Sequence, residues 1–436
     1  MTFCYNRGLP GNTAGDLPVK LKLGLCVLVL APCAQAAAQH AVALATPLSV
    51  LLAEVDANNG DVTVAGDDWK ASTHVMQQVS RRPGPQLTFE SSSVGNPKPL
   101  AGISNSEFAY VGFGASQDIP YKNKLKLRGE AARRGVATQK ANIDVVRSTV
   151  EEQAKLYYLQ LAYSTGAIAY LDRTDSVLQS LIQDATARYS LGQGSQAAIL
   201  KAQLERTDIR RQATMHSQTL GQTQARLKEL LHRRQDSTDI YPEPLKETVF
   251  NRDIDDLQAR LRDRNPSLLK DAAAISQQDA QLASARRDSK PDFNVGYRFD
   301  LTGDDYRNRY VASLNIQLPD RGRVAAEVAQ AQVQATRARD QLDAEVQQTQ
   351  AALQIDYVAA TETTELLRVY TEGLLPQAEA VFHSEESAFQ ANKEDLAPVL
   401  NALVAVLSLE NDYQQALFDH ESALVRIETL TGEKLR

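Results

Sequence analysis

The residues that could carry chemistry are few, and their spacing keeps them apart. Six histidines stand at positions 40, 74, 216, 232, 383 and 420. None pairs with another histidine or a cysteine at the separation a metal site requires. His216 and His420 fall on long helical patterns, where a solvent-facing or seam position accounts for them. Three cysteines, Cys4, Cys26 and Cys33, all lie near the N-terminus. LGQGS (191–195) has the glycines of a phosphate loop, but no Lys-Ser or Lys-Thr follows, so it reads as a turn. No Gly-x-Ser-x-Gly elbow offers a nucleophilic serine. Asp and Glu are numerous but spread along helices as solvated faces. An enzyme needs convergent groups in a pocket. The sequence offers no such set and predicts no catalytic site, no resident metal and no cofactor.

Composition narrows the classes further. The chain has 436 residues, 43% hydrophobic and 23% charged, which is ordinary for a folded protein. A net charge of -7 argues against a non-specific nucleic-acid binder. No apolar run reaches the roughly 20 residues of a membrane-spanning helix. If this chain crosses a membrane, strands must do it. Lys20 and Lys22 precede a short apolar run (23–31), and Ala34-Gln35-Ala36 fits a cleavage site. Residues 1–36 therefore read as a secretory signal peptide. All three cysteines would leave with it, so the mature chain would hold no disulfide. A lipid on Cys33 is the competing use of that residue, and Pro32 is a poor neighbour for it.

The elements come in two matching sets. FAYVGFGASQDI (108–119) reads as a strand stopped by Pro120, and a helical pattern runs from Tyr121 to Arg188. A turn at 189–195 ends it, and a second helix returns over 196–232. From Tyr310 the programme repeats: a strand, Pro319, a long helix, the break FQANKED (389–395) and a return helix to Thr431. Pro319 follows Pro120 by 199 residues, and Leu400 follows Leu200 by 200. The predicted organisation is a first repeat over 46–233, a linker over 234–251 and a second repeat over 252–432. Strands are predicted at about 85–93, 108–119, 291–301 and 309–318, with helical hairpins at about 121–232 and 320–431. Each outgoing helix covers about 70 residues, or roughly 100 Å unbroken. In the second, Val324, Val328, Ala331, Ala335, Ala338, Leu342, Val346, Thr349 and Leu353 form a narrow coiled-coil seam.

Short helices precede the strands. Thr46 is the expected cap of a helix over 46–59, with Pro47 at its first position. Its counterpart covers 252–265. Asn265-Pro266 then opens a helix to about Ser289. The first-copy partner, 60–82, is the weak one, because VTVAG (62–66) is poor helix material. The strands alternate strictly. Phe293, Val295, Tyr297, Phe299 and Leu301 share one face, as do Tyr310, Ala312, Leu314, Ile316 and Leu318. Such alternation suits a half-exposed sheet of a soluble protein and a membrane barrel alike. The two copies differ in length by seven residues within the strand–strand loop (94–105 against 302–305), which marks that loop as the outer, solvent end of the hairpin.

Two strands and a long helical hairpin, twice over and behind a signal peptide, resemble the outer-membrane efflux family, the TolC-like channels. SQDIPYKNKLKLRGEAARRG (116–135) and LPDRGRVAAEVAQAQ (318–332) are similar to the strand-to-helix junctions of its heavy-metal branch, the cobalt–zinc–cadmium outer-membrane components. The second is shorter than that branch's usual Pro-Leu-Phe-Asp-Arg-Asn-x-Gly form. ARYSLGQGSQAAILKAQ (187–203) resembles the family's Tyr-x-x-Gly helix tip, and the second copy has Phe389 and Asn392 in place of Tyr189 and Gly192. The resemblance implies a mainly α fold with a small β part. Three chains would form a trimeric β-barrel in the outer-membrane lipid, continued by a periplasmic α-helical barrel. It implies an exit duct for heavy-metal cations, served by a periplasmic adaptor and an inner-membrane resistance–nodulation–division pump. A multidrug or type I secretion channel is the alternative within the family, and a periplasmic coiled-coil adaptor or scaffold the alternative outside it. Tyr189, Leu191, Gly192, Ser195, Phe389 and Asn392 are then the expected docking tips, where the two aromatics either meet a partner or pack their own hairpin. Glu394 and Asp395 would recur as an acidic ring at a pore constriction, unless Asp395 simply caps the helix that follows.

Overall fold

Proline and asparagine set the element boundaries. The computed structural model describes residues 45–103, 106–303 and 307–435. The expected signal peptide and Cys33 lie outside these residues, as do parts of both strand–strand loops. In chain order the elements are α1 (Leu48–Asn58), α2 (Gly60–Ser80), β1 (Gln86–Ser92), β2 (Tyr110–Ile119), α3 (Lys124–Ser190), α4 (Gln196–Leu230), α5 (Ile254–Arg264), α6 (Pro266–Arg287), β3 (Asp292–Leu301), β4 (Arg309–Gln317), α7 (Arg321–Val369), α8 (Leu375–Gln390) and α9 (Leu396–Thr431).

Two expectations need correction. Thr46 does not cap α1. Its N–H instead donates to the Tyr241 carbonyl at 2.8 Å, its carbonyl accepts from the Tyr158 hydroxyl at 2.8 Å, and the helix begins one residue later at Leu48. The weakly marked helix expected over 60–82 forms over Gly60–Ser80, 21 residues. The Asn59 side chain accepts from the N–H groups of Asp61 and Val62, and Ala65 is buried. A cap of this kind is worth about 1 kcal/mol. Together with packing on α3 it outweighs the few tenths of a kcal/mol that each β-branched residue costs. The second correction is in the second outgoing helix, which is not one uninterrupted α-helix. A π-helical turn, Tyr370–Leu374, separates α7 from α8. Pro376 has no N–H for the Glu372 carbonyl, and its ring would collide with that carbonyl in a regular turn. Widening the turn relieves the collision. The first copy has no proline there, and α3 runs unbroken for 67 residues.

Asn59 and Asn265 do matching work in the two halves. Asn265 caps α6 through Leu268 N–H, and its amide also donates to the Leu430 carbonyl at 3.1 Å. The Asn59 amide donates to the Leu230 carbonyl at 3.0 Å. Each is buried and fastens the start of one helix to the end of a return helix. Apolar packing follows the same duplication. Leu51, Val55, Leu161, Leu227 and Leu231 form one cluster, and Leu257, Leu261, Leu353, Leu424 and Ile427 form its counterpart. The segment joining the halves is threaded between them. Gln224 exchanges two hydrogen bonds with the backbone of Ile240, and His420 binds the Thr248 carbonyl at 2.9 Å. On α7 the seam residues Val324, Ala331, Ala335, Thr349 and Leu353 are buried.

The four strands form one antiparallel sheet in the order β1-β2-β3-β4. Phe293 faces Ile316, Val295 faces Leu314 and Phe299 faces Tyr310 across β3 and β4, while Phe113 lies between Phe89 and Phe299. One face is therefore continuous apolar surface.

Candidate functional site

Two regions place side chains where they could act on something outside the chain: the sheet and the helix tips. On the sheet, Leu87, Phe89, Phe113, Tyr297, Tyr310 and Leu314 are each more than half exposed, and no described element covers them. The Phe89 and Phe113 rings lie 5.2 Å apart, as do those of Phe299 and Tyr310. The opposite face is polar. Glu90, Gly112, Asp300 and Arg309 line up across all four strands. Asp300 is fully buried between Arg298 at 2.8 Å and Arg309 at 3.0 Å, and Arg298 also reaches Glu90. Gly112 makes room for this network, since a Cβ there would sit 2.6 Å from an Asp300 carboxylate oxygen. Strand parity alone puts Glu90, Arg298, Asp300 and Arg309 on the face opposite the aromatics. The ion pairs among them depend on contacts between strands, which parity does not give.

The tips repeat one backbone design. Gly192 has φ +78° and Asn392 φ +57°. Gly192 N–H donates to the Tyr189 carbonyl and Gln193 N–H to the Arg188 carbonyl; Asn392 and Lys393 donate to Phe389 and Ala388 in the same pattern. This closes each helix end with a residue in the left-handed region, where Gly and Asn fit best. Ser195 accepts from Ala197 N–H, and Asp395 accepts from Leu396 N–H at 2.8 Å. Asp395 therefore caps α9, and Glu394 beside it is exposed.

The two aromatics part company. Tyr189 and Leu191 are exposed, at 45% and 77%. Phe389 is buried at 3% and packs with Ala185, Leu396 and Val399 in a core shared by both hairpins. The Arg188 guanidinium lies 4.1 Å from its ring centre and donates to the Phe389 carbonyl, the Gln390 carbonyl and Asn392 Oδ1. Arg188 thus closes the end of α8 from the other hairpin, which spacing within one helix gives no means to foresee. A cleft of about 340 Å³ opens between the tips, lined by Arg188, Gln193, Gly194, Asn392, Lys393 and Asp395. Arg188→Ala should lower stability by about 1–3 kcal/mol, the range for hydrogen bonds to a charged group. Hydrogen exchange should show the loss at 385–395 first, and unchanged protection there would refute the tie.

Further along the first hairpin, Arg206 holds Asp175 through two bonds of 2.8 and 3.0 Å. That hydrogen-bonded guanidinium keeps the Asp175 carboxyl below the usual carboxylate range. A depressed folded-state pKa gives stability that is present above the unfolded pKa and lost as pH falls through the folded one. Asp175→Asn should therefore lower the melting temperature at neutral pH, and the gap should close in acid. A gap that persists below the folded-state pKa would refute this account.

Histidines have structural surroundings. The His216 ring meets Tyr163 edge-on at 5.5 Å, and burial pushes its pKa down. His420 is enclosed by Thr248, Ala360 and Thr363. Among the described residues no group of three or more His, Cys, Asp or Glu could hold a metal ion. No helix among them is long and apolar enough to cross a membrane.

Residues 257–433, from α5 past the end of α9, match the family model for outer membrane efflux proteins. Most of the chain is similar in fold to solved outer-membrane channels. OprN superposes with a TM-score of 0.77 at 15% identity, over 89% of this chain and 90% of that one. CusC gives 0.74 at 15%, over 89% and 92%. The MtrE outer membrane channel of Neisseria gonorrhoeae, in its open state, gives 0.72 at 15%, over 89% of each. No curated protein sequence matches the chain.

Proposed function

We propose that three copies of this chain close one duct through the outer membrane, as the exit component of a tripartite efflux system. The observation that carries this reading is the sheet: four strands, an exposed apolar face, and β1 and β4 each paired on one side only among the described residues. Four strands cannot close a barrel, whereas twelve can. Eight would also close, and the resemblance to the TolC-like channels favours three chains. Exposed Val333, Ile355, Val358 and Val369 on α7 fit a neighbouring subunit along the helices. A periplasmic adaptor would dock on the tips through Tyr189, Leu191, Gly192 and Ser195, with Asn392 beside them and Phe389 supporting the reversal from beneath. An inner-membrane resistance–nodulation–division pump would supply the drive. The cargo is a heavy-metal cation on this reading, supported by the junctions at 116–135 and 318–332. Glu394 and Asp395, repeated by symmetry, would make an acidic ring that favours cations.

Conductance tests the ring and its tip together. Asp395→Asn keeps much of the capping ability and removes the charge. Combined with Glu394→Gln, it should lower cation selectivity in a planar bilayer while the trimer keeps its melting temperature. Unchanged selectivity would leave Asp395 as a cap alone. For the cargo, cells lacking the chain should retain more cobalt, zinc or cadmium than complemented cells. Equal metal content would remove the metal reading and leave the duct.

A further inference from the structure

All four strand–helix junctions meet at one edge of the sheet. Gln86 pairs with Ser116, Ile119 with Phe293 and Asp292 with Gln317, so the starts of β1 and β3 lie beside the ends of β2 and β4. Every junction carries basic residues. Arg81 and Arg82 precede β1, Lys122 and Lys126 follow β2, Lys290 precedes β3 and Arg321 follows β4. All six are exposed, and among the described residues none has a carboxylate within salt-bridge distance. The acids of this edge have partners of their own, Asp118 the Asn294 amide. Asp288 holds Arg128, Asp292 holds Lys124, and Asp320 caps α7. In the sequence, the two strand–strand loops balance Lys98 and Arg307 with Glu107, Asp304 and Asp305. Along the sequence, the excess of positive charge thus lies at the strand–helix junctions.

A second observation places this charge next to the apolar face. Tyr121 continues the parity of Phe113 and Ile119, and its ring stacks on Phe293 at 6.4 Å. The Arg287 guanidinium lies 4.9 Å from the centre of that ring and donates to the Lys122 carbonyl. Apolar side chains, then an aromatic, then cations is the order found where a protein leaves hydrocarbon for headgroups. Cations at that level attract anionic lipid, and the attraction falls off within a Debye length.

We propose that this basic rim binds the phosphodiester headgroups of anionic phospholipid in the leaflet facing the helices. The proposal rests on the outer-membrane reading of the sheet and adds to it a lipid class and the residues that select it. Each exposed cation at such a surface is worth about fivefold in lipid association at low salt.

The full chain is placed in vesicles of phosphatidylcholine and phosphatidylglycerol in equal parts, and insertion is scored first. Association of spin-labelled phosphatidylglycerol is then compared with that of spin-labelled phosphatidylcholine. The inserted protein should prefer the anionic label by about fivefold or more, and added salt should erode the preference. Lys122→Gln, Lys290→Gln and Arg321→Gln together should bring it close to unity, while Lys122→Arg with Lys290→Arg should retain it. An inserted protein without preference, a preference indifferent to salt, or one unchanged in the glutamine variant would overturn the proposal. Failure to insert at all would remove the outer-membrane reading beneath it, and the insertion score separates that result from the others.

Discussion

Leu314→Arg should cost about 2–4 kcal/mol of barrel stability, while Asn315→Arg, one residue on, should change little. The two positions differ only in the side of β4 they occupy. Leu314 is 63% exposed opposite Val295 on the apolar face. Asn315 lies on the other face, opposite Asn294. An exposed leucine on a sheet in water is unremarkable, and replacing it with arginine there would be nearly silent or favourable. The large cost arises only if that face meets hydrocarbon. Urea titration of vesicle-inserted protein measures both variants, and equal effects would sink the lipid-facing assignment.

The second large effect is expected at Asp300. Arg298→Met with Arg309→Met would leave a fully buried carboxylate without its two cations. Breaking a buried pair from one side costs about 3–5 kcal/mol, because the remaining charge is uncompensated. Adding Asp300→Asn to the same protein removes that charge and should recover most of the loss, although it removes a third native residue. The same titration decides the matter. A triple variant no better than the double would mean that the arginines matter for packing and that the carboxylate is solvated. Arg298 and Arg309 are themselves partly exposed, so Asp300→Asn alone should be the milder change.

Local pattern carried the architecture because the architecture is periodic. Prolines 85, 120, 291 and 319 bracket strands whose described ends fall within two residues of the predicted ones. The seam of α7 was readable because a narrow stripe at threes and fours has one geometric meaning. What escaped was set by partners distant in sequence or by one overlooked residue. VTVAG is poor helix material by itself, so the expected helix over 60–82 was only weakly marked, and α3 supplies the surface that makes it helical. Pro376 was in plain view, yet a long periodic pattern on both sides of it suggested continuity. Arg188 sits at a helix end like many arginines, and its partners at 389–392 lie some 200 residues away. The tips show the same limit from the other side. Tyr189 and Phe389 occupy equivalent places in the repeat, yet only the second is buried, because Arg188 covers it and the equivalent position in the other copy is Ala388.

The open edges of the sheet make assembly a matter of mass action. Outside a closed barrel, β1 and β4 each present a row of backbone N–H and C=O groups that hydrocarbon cannot satisfy, at several kcal/mol per group. On the proposed duct, a lone chain would be no smaller version of it but a species that lipid rejects. Folding yield should rise steeply with chain concentration, and apparent stability should depend on it as for other obligate oligomers. The inheritance of defects follows from the same fact. A chain whose β4 edge cannot pair would still offer a sound β1 edge to its neighbours, so it would enter mixed assemblies and spoil them. Such an allele should be dominant over the wild type, whereas one that never folds should be recessive.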